Sequence, residues 1–195
     1  RHRDHLLVGC DGGLYESFDA AASWRFFPNL PVTQFYKVDV DDSEPFYRVY
    51  GGTQDNFTLG GPSRTLSANG ILSQDWEMLT GGDGFQARAE PGNPDIAYAM
   101  VQYGVLIRVD RKTHEETYVA PVSEPGQPPL RWNWDSPLVI SPYSPKRLYF
   151  AAQNVFVSDN RGDDWRAISG DLTRQLDRNQ LPLFGKIVHP DAVAK

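Results

Sequence analysis

The sequence contains one octapeptide pattern twice, as Ser17-Phe18-Asp19-Ala20-Ala21-Ala22-Ser23-Trp24 and as Ser158-Asp159-Asn160-Arg161-Gly162-Asp163-Asp164-Trp165. Asp and Asn bond to their own backbone in a turn, and Gly takes the positive φ that tight turns need. Each octapeptide therefore predicts a hairpin turn that ends in a tryptophan packed onto a sheet.

A strand pattern repeats in the same frame. Tyr47, Tyr98 and Tyr149 recur at a constant interval, each after a turn segment that contains proline. Leu6–Asp19 also aligns without a gap on Ala97–Asp110. A period of about 40–50 residues holding several short strands is typical of propeller blades, whereas helical repeats show i, i+3, i+4 spacing.

The predicted fold is therefore all-β: one β-propeller segment over residues 1–195, with about four blades of four antiparallel strands. The blades are expected to start near residues 6, 47, 97 and 148. The four are predicted to be an arc of a larger propeller, with residues 185–195 as a connection to further sequence.

The octapeptides resemble the Asp-box, Ser-x-Asp-x-Gly-x-Thr/Ser-Trp. Ala21 stands where Gly is usual, Asn160 at the acidic position and Asp164 at the Ser/Thr position. In families with this box it is a structural device at the blade edge. The residues assigned to this structural role are Ser17, Asp19, Trp24, Ser158, Asn160, Gly162 and Trp165.

Four further segments carry a family resemblance. Gly9–Ser17, Gly51–Asn56, Arg131–Pro137 and Ile168–Arg174 resemble bacterial secreted BNR-repeat, glycosyl-hydrolase-like proteins related to the sortilin propeller. The resemblance implies a propeller of more than four blades, a periplasmic or secreted location, and no established activity. The signal peptide would lie outside this segment.

Composition excludes several classes of function. The formal net charge is −6, whereas a protein that binds nucleic-acid phosphates needs a basic face. We therefore predict no nucleic-acid partner. No window approaches the ~18 apolar residues of a membrane helix. Cys10 is the single cysteine and the histidines are scattered, so we predict no metal and no cofactor.

Polar residues follow the repeated strand and predict a ligand-binding mouth of the propeller channel. They are Asp11, Gln54 with its neighbour Asp55, and Gln102, with Gln153 one step out of register. The alternative is a channel wall that is polar because water fills it. Trp132 and Trp134 would share a face if they lay in a strand. The pair would then be either a platform for a sugar or a protein, or a core pair between blades.

Catalysis by a glycoside hydrolase requires two carboxylates roughly 5–9.5 Å apart. The candidates are Asp11, Asp55, Asp83 and Asp135, and no pair can be placed at that distance from sequence. Two hypotheses follow. The preferred one is a non-catalytic binding or scaffold propeller that engages a protein or peptide outside the cytoplasm. The alternative is a fragment of a carbohydrate-active glycoside hydrolase that uses paired carboxylates.

Overall fold

A computed structural model describes residues 3–30 and 33–188, except for the side chain of residue 178. The chain divides into two compact units, Arg1–Gln34 and Phe35–Lys195. The first unit is one antiparallel sheet of three strands, β1 (Leu6–Cys10), β2 (Gly13–Ser17) and β3 (Arg25–Phe26), in that order. Strand β1 lies at the edge of this first sheet and is exposed throughout.

The second unit contains three sheets of four antiparallel strands. The second sheet is β4 (Lys37–Val40), β5 (Arg48–Gly52), β6 (Thr58–Pro62) and β7 (Glu77–Thr80). The third is β8 (Gly84–Glu90), β9 (Asn93–Val101), β10 (Val105–Asp110) and β11 (Glu115–Tyr118). The fourth is β12 (Leu138–Ser141), β13 (Ser144–Ala151), β14 (Val155–Ser158) and β15 (Arg166–Ala167).

A short hairpin of β16 (Pro182–Leu183) and β17 (Lys186–Ile187) follows the fourth sheet. The helical content of the described residues is limited to 3-10 turns at Ser73–Asp75, Gln102–Gly104 and Arg178–Gln180. Of the connection expected at residues 185–195, residues 185–188 belong to this hairpin and its flank, and residues 189–195 lie outside the described residues.

The predicted fold class is confirmed: the chain is all-β, and its sheets are consecutive antiparallel meanders of the β-propeller type. The expected starts near residues 47, 97 and 148 fall at the second strand of each four-stranded sheet. Each sheet begins one strand earlier, because the strand before each proline-containing turn pairs with the strand after it.

The repeating tyrosine of the second sheet is Tyr50 rather than Tyr47. Tyr50 and Tyr98 are completely buried, whereas Tyr47 precedes its strand and is 50% exposed. With this register, Tyr50, Tyr98 and Tyr149 each stand four residues before a glutamine, Gln54, Gln102 and Gln153. Turns of different length between strands explain why a constant interval selected the wrong tyrosine.

Alternate side chains of the third sheet point to opposite faces, so this sheet contributes to two cores. One face is built from alanines, including Ala87, Ala97 and Ala99, and packs against Tyr50 and Leu79 of the second sheet. The other face packs larger side chains against the fourth sheet, namely Phe85, Tyr98, Met100 and Leu106 against Leu138, Leu148 and Phe150.

The two octapeptides form hairpins with the same hydrogen bonds. Ser17 Oγ accepts the N–H of Ala21 at 2.9 Å, and Asp19 Oδ1 accepts the N–H of Ser23 at 2.9 Å. In the second hairpin, Ser158 Oγ accepts the N–H of Gly162 at 2.8 Å. Asn160 Oδ1 likewise accepts the N–H of Asp164 at 3.0 Å. Both hairpins thus satisfy their turn backbone with a serine and an Asx side chain.

The tryptophans that end the two hairpins differ in their surroundings. Trp165 donates its indole N–H to the carbonyl of Val119 at 2.6 Å and lies beside Phe150, whereas Trp24 is 43% exposed.

Ala21 adopts a φ of 74°, close to the 89° of Gly162, so it occupies the left-handed conformation that favours glycine. Hydrogen bonds from Ser23 and Ser17 lower the pKa of Asp19 to about 2.

Candidate functional site

One end of the three four-stranded sheets carries most of the residues that the sequence singled out. Antiparallel meanders place the turn between second and third strands at the same end as the connection into the first strand. These turns contain Gln54, Gln102 and Gln153, and we call this end the glutamine end. The opposite end, which carries Asp41 and Glu90 where the first strands finish, is the carboxylate end.

The three glutamines each hold the segment that enters their own sheet. Gln102 Oε1 accepts the backbone N–H of Asp83 at 3.1 Å, just before β8. Gln153 Oε1 accepts the N–H of Arg131 at 2.7 Å, ahead of β12. Gln54 Oε1 accepts the hydroxyl of Tyr36, one residue before β4. The sequence indicated these positions as a polar wall but not this role, although the tyrosine-to-glutamine interval was a usable signal.

The amide nitrogens of these glutamines remain available. Within the described ranges, none of the three side-chain NH2 groups donates a hydrogen bond to the protein. A carboxamide whose oxygen is fixed also has its NH2 group fixed in direction. The glutamine end therefore displays oriented donors that suit carbonyl or hydroxyl oxygens of a ligand.

A row of aromatic rings crosses the glutamine end beside these donors. Tyr36 stacks on Phe85 with ring centroids 5.0 Å apart, and Phe85 meets Trp134 edge-on at 5.7 Å. Tyr103 meets the other side of the row, edge-on to Trp134 at 4.9 Å. Phe85 is buried, whereas Tyr36, Trp134 and Tyr103 are 46%, 37% and 61% exposed. We call these three exposed rings the aromatic row.

The two tryptophans of the predicted pair separate. Residues 131–137 lie in no strand, so the condition for a shared face is not met. Trp132 packs against Phe150 at 4.9 Å and covers Gly104, where a Cβ would lie 2.1 Å from the indole. Trp134 belongs to the aromatic row. Trp132 thus packs at the core between the third and fourth sheets, whereas Trp134 is exposed at the surface.

The candidate carboxylates are only partly brought together. Asp83 Oδ1 accepts the backbone N–H of Asp55 at 2.9 Å, which joins the turn of the second sheet to the start of the third. Asp135 Oδ2 pairs with Lys37 at 2.9 Å. Asp11 lies in the β1–β2 turn of the first unit. Asp83 and Asp135 therefore each have one oxygen engaged in a contact that fixes a loop.

Two of these turns contain a residue with a strained backbone. Asp55 and Tyr103 directly follow Gln54 and Gln102, and their φ values are 63° and 58°. The left-handed region is unfavourable for residues with a Cβ, most of all for a bulky one. Such strain costs about 1–3 kcal/mol per residue and occurs mainly at functional sites. Tyr103 is thus held outward in a conformation that glycine or asparagine would adopt more readily.

At the carboxylate end, Asp41 and Glu90 are buried and hydrogen-bonded. Glu90 accepts two hydrogen bonds from Arg161, at 2.6 and 2.7 Å, which link the third and fourth sheets. The hydroxyl of Tyr98 also donates to Glu90, at 3.3 Å. In the second sheet the hydroxyl of Tyr50 donates to Asp41 at 2.8 Å. Burial, with the neighbouring carboxylates, raises the pKa of both tyrosines.

A cavity of about 390 Å³ lies among the first strands at the carboxylate end. Asp39 in its wall pairs with Arg88 at 3.3 Å and accepts the N–H of Ala89. Asp42 accepts the N–H of Gly92 at 2.9 Å.

Across the part of the chain that the structure describes, no group of three His, Cys, Asp or Glu residues is arranged to hold a metal ion. Nor does any helix in that part have the length and apolar character needed to cross a membrane.

The sheets and the glutamine end define a propeller-type all-β chain with an aromatic surface at one end. No protein-family model matches the sequence. No curated protein matches it either. Solved structures do align with it. The GH74 xyloglucanase from Xanthomonas campestris shares 15% identity at a TM-score of 0.47, over 87% of this chain and 29% of that one.

Two other solved structures align similarly. The extracellular domain of a putative one-component system from B. thetaiotaomicron shares 16% identity at a TM-score of 0.43, over 88% of this chain and 22% of that one. YCF48 bound to D1 peptide shares 12% identity at a TM-score of 0.42, over 85% of this chain and 50% of that one. The chain thus spans half or less of each of these proteins. Likenesses at these scores carry no argument about a site, an activity or a partner.

Proposed function

We propose that this chain is part of a non-catalytic binding propeller of the Asp-box type, which engages a protein or peptide partner outside the cytoplasm through its glutamine end. The observation that carries the proposal is the aromatic row, three exposed rings from three different segments. Phe85 joins Tyr36 to Trp134, and Trp134 contacts Tyr103. Aromatic side chains give large contact area for little loss of conformational entropy, and they dominate protein-binding surfaces.

The polar groups of the glutamine end also favour binding over catalysis. The glutamine oxygens fix the loops, and their NH2 groups have no acceptor among the described residues, an arrangement that suits the carbonyl groups of an extended peptide. Asp83 and Asp135 are each tied to a neighbouring loop by one oxygen. In a glycoside hydrolase the two carboxylates must instead face each other across a cleft that holds the sugar.

An immobilised library of unstructured 12-residue peptides tests the proposal. The wild-type chain is expected to retain a subset of the peptides, and Trp134→Ala is expected to weaken their binding at least tenfold, as loss of a central aromatic contact does. Tyr143→Ala is the matched control, because Tyr143 is 94% exposed in the β12–β13 turn at the carboxylate end. Thermal unfolding of each variant separates lost binding from lost folding.

A second candidate is a carbohydrate-active enzyme with paired carboxylates, and the contact between the Asp55 and Asp83 turns is the observation in its favour. Xyloglucan incubated with the chain would then release reducing ends, and Asp83→Asn and Asp135→Asn would abolish the release. Peptide retention that Trp134→Ala removes, without release of reducing ends, favours the binding propeller. No retained peptide, together with release of reducing ends, overturns it.

A further inference from the structure

The glutamine end also carries a carboxylate, Asp83, that has no cationic partner among the described residues. Asp83 precedes Phe85 by two residues, and its backbone N–H is bound by the glutamine adjoining Tyr103. Its Oδ1 accepts the N–H of Asp55, and no lysine, arginine or histidine among residues 3–30 and 33–188 forms an ion pair with it. The glutamine end thus combines exposed rings with a carboxylate that forms no ion pair among the described residues.

The rings of the row are of a type that attracts a cationic ligand group. Trp134 is inclined at 85° to both Phe85 and Tyr103, so the row presents ring faces at different angles instead of one flat stack. A ring face carries negative charge density and attracts an ammonium or guanidinium group within about 6 Å. The indole of Trp gives the strongest such interaction among the aromatic side chains.

The charge of the surroundings supports the same ligand. Two cations of the glutamine end are already engaged, because Lys37 pairs with Asp135 and Arg131 pairs with Asp171 at 2.6 Å. The chain as a whole carries a formal net charge of −6. A negatively charged protein raises the local concentration of cationic ligands and repels anionic ones.

We infer that the aromatic row and Asp83 bind a lysine or arginine side chain of the partner peptide, while the NH2 groups of Gln54 and Gln102 bind its backbone carbonyls. This inference rests on the proposed function and specifies the chemistry of the partner. The ring faces hold the cation and its methylene stem, and the Asp83 carboxylate supplies the counter-charge.

Model peptides that differ at one side chain test this inference. The probes are acetyl-Ala-Ala-X-Ala-Ala-amide with X as lysine, arginine, norleucine or glutamate. Binding is followed by the indole ¹H–¹⁵N resonance of Trp134, assigned by its loss in Trp134→Phe. The lysine and arginine peptides are expected to bind about tenfold more tightly than the norleucine peptide, since a cation–π contact with a counter-charge is of that order.

The Asp83→Asn variant isolates the charge. Asparagine retains the Oδ1 atom that accepts the N–H of Asp55, so the turn keeps its hydrogen bond. Binding of the lysine and arginine peptides is expected to weaken several-fold, and binding of the norleucine peptide to stay unchanged. The control is Asp159→Asn, which removes one charge at the carboxylate end, where Asp159 pairs with Arg147.

The two levels of the proposal fail in different ways. Equal affinity for the lysine and norleucine peptides, or no effect of Asp83→Asn, overturns the cationic ligand while leaving the peptide-binding surface intact. A Trp134 resonance that no peptide shifts, with an empty 12-residue library screen, overturns the proposed function itself. A tighter complex with the glutamate peptide also contradicts the inference, because it requires an uncompensated cation at this surface.

Discussion

The two ends of the sheets differ in whether their polar and aromatic groups have partners within the described residues. At the carboxylate end, Glu90 is buried and has its acceptors filled by Arg161 and Tyr98. At the glutamine end, Trp134 and Tyr103 remain exposed and the glutamine NH2 groups have no acceptor among the described residues. Saturated polar contacts stabilise a fold, whereas unsaturated contacts on a rigid support are available to a ligand.

From this contrast we expect the carboxylate end to contribute to stability and the glutamine end to contribute to peptide binding. A change at the carboxylate end should alter the free energy of unfolding with little effect on peptide binding. A change at the glutamine end should do the reverse. The largest expected effect concerns the ion pair that joins the third and fourth sheets.

Arg161→Met is expected to lower the free energy of unfolding by about 3–5 kcal/mol, because it leaves the carboxylate of Glu90 buried without its cation. The Glu90 side chain is only 2% exposed. Urea unfolding followed by tryptophan fluorescence measures the loss. Arg147→Met is the control and should cost less than about 1 kcal/mol, since the Arg147–Asp159 pair is exposed.

The double variant Glu90→Gln with Arg161→Met sharpens this result. A neutral glutamine removes the uncompensated charge, so part of the lost stability should return. If the double variant loses as much free energy of unfolding as the two single variants together, the buried ion pair is not the cause of the loss. Retention of library peptides by every variant that folds would confirm that this end does not contact ligand.

Tyr50→Phe is expected to cost about 1–2 kcal/mol at pH 7, because Asp41 loses the hydroxyl at 2.8 Å. Burial pulls the pKa of Asp41 upward, but hydrogen bonds from Arg48, Tyr50 and Ser43 outweigh burial and lower it. A carboxyl whose folded pKa is depressed stabilises the protein above its unfolded pKa of 3.8, and this stability disappears as pH falls through the folded pKa.

The free energy of unfolding is expected to fall in acid. Hydrogen bonds from Thr173 and Arg131 lower the pKa of Asp171 to about 2, as those of Ser23 and Ser17 do for Asp19. The urea midpoint should therefore be nearly constant above about pH 5 and fall between about pH 4 and 2. The difference between wild type and Tyr50→Phe should narrow over the same interval. Tyr118→Phe, at a 76% exposed position, should match wild type throughout.

Tyr103→Asn carries the smallest expected effect on stability. Asparagine accepts the left-handed backbone that Tyr103 adopts at a φ of 58°, so relief of strain offsets the lost contact with Trp134. The free energy of unfolding should change by less than about 1 kcal/mol. Peptide binding should nevertheless fall. If the variant loses more than about 1 kcal/mol of stability and still binds peptides normally, Tyr103 serves stability and not binding, which contradicts the assignment of the glutamine end.

Much of this architecture could be predicted from sequence, and the reasons are local. Ser158, Asn160 and Gly162 specify their hairpin through contacts within eight residues, so the pattern alone predicts the turn. The antiparallel meander follows from short strands separated by turns. The register of the second sheet was harder, since a constant interval cannot account for turns of unequal length.

The site was less accessible to sequence reasoning because its contacts are long-range. The sequence indicated Gln102 and Gln54 as polar positions after a repeated strand. It did not indicate their partners Asp83 and Tyr36, which lie in other turns. Trp132 and Trp134 are two residues apart and still point into different surroundings, because the loop that carries them is irregular. No periodic pattern indicates the aromatic row.

The interval between tyrosine and glutamine has a consequence for which insertions the fold can accept. Tyr50 and Tyr98 anchor the second strand at the carboxylate end, and four residues later a glutamine emerges at the other end. At about 3.3 Å per residue, those four steps span about 13 Å along the strand. One added residue would turn the buried tyrosine outward and the glutamine away from its loop. Length variation among related chains should therefore fall in the turns and outer strands and spare this segment.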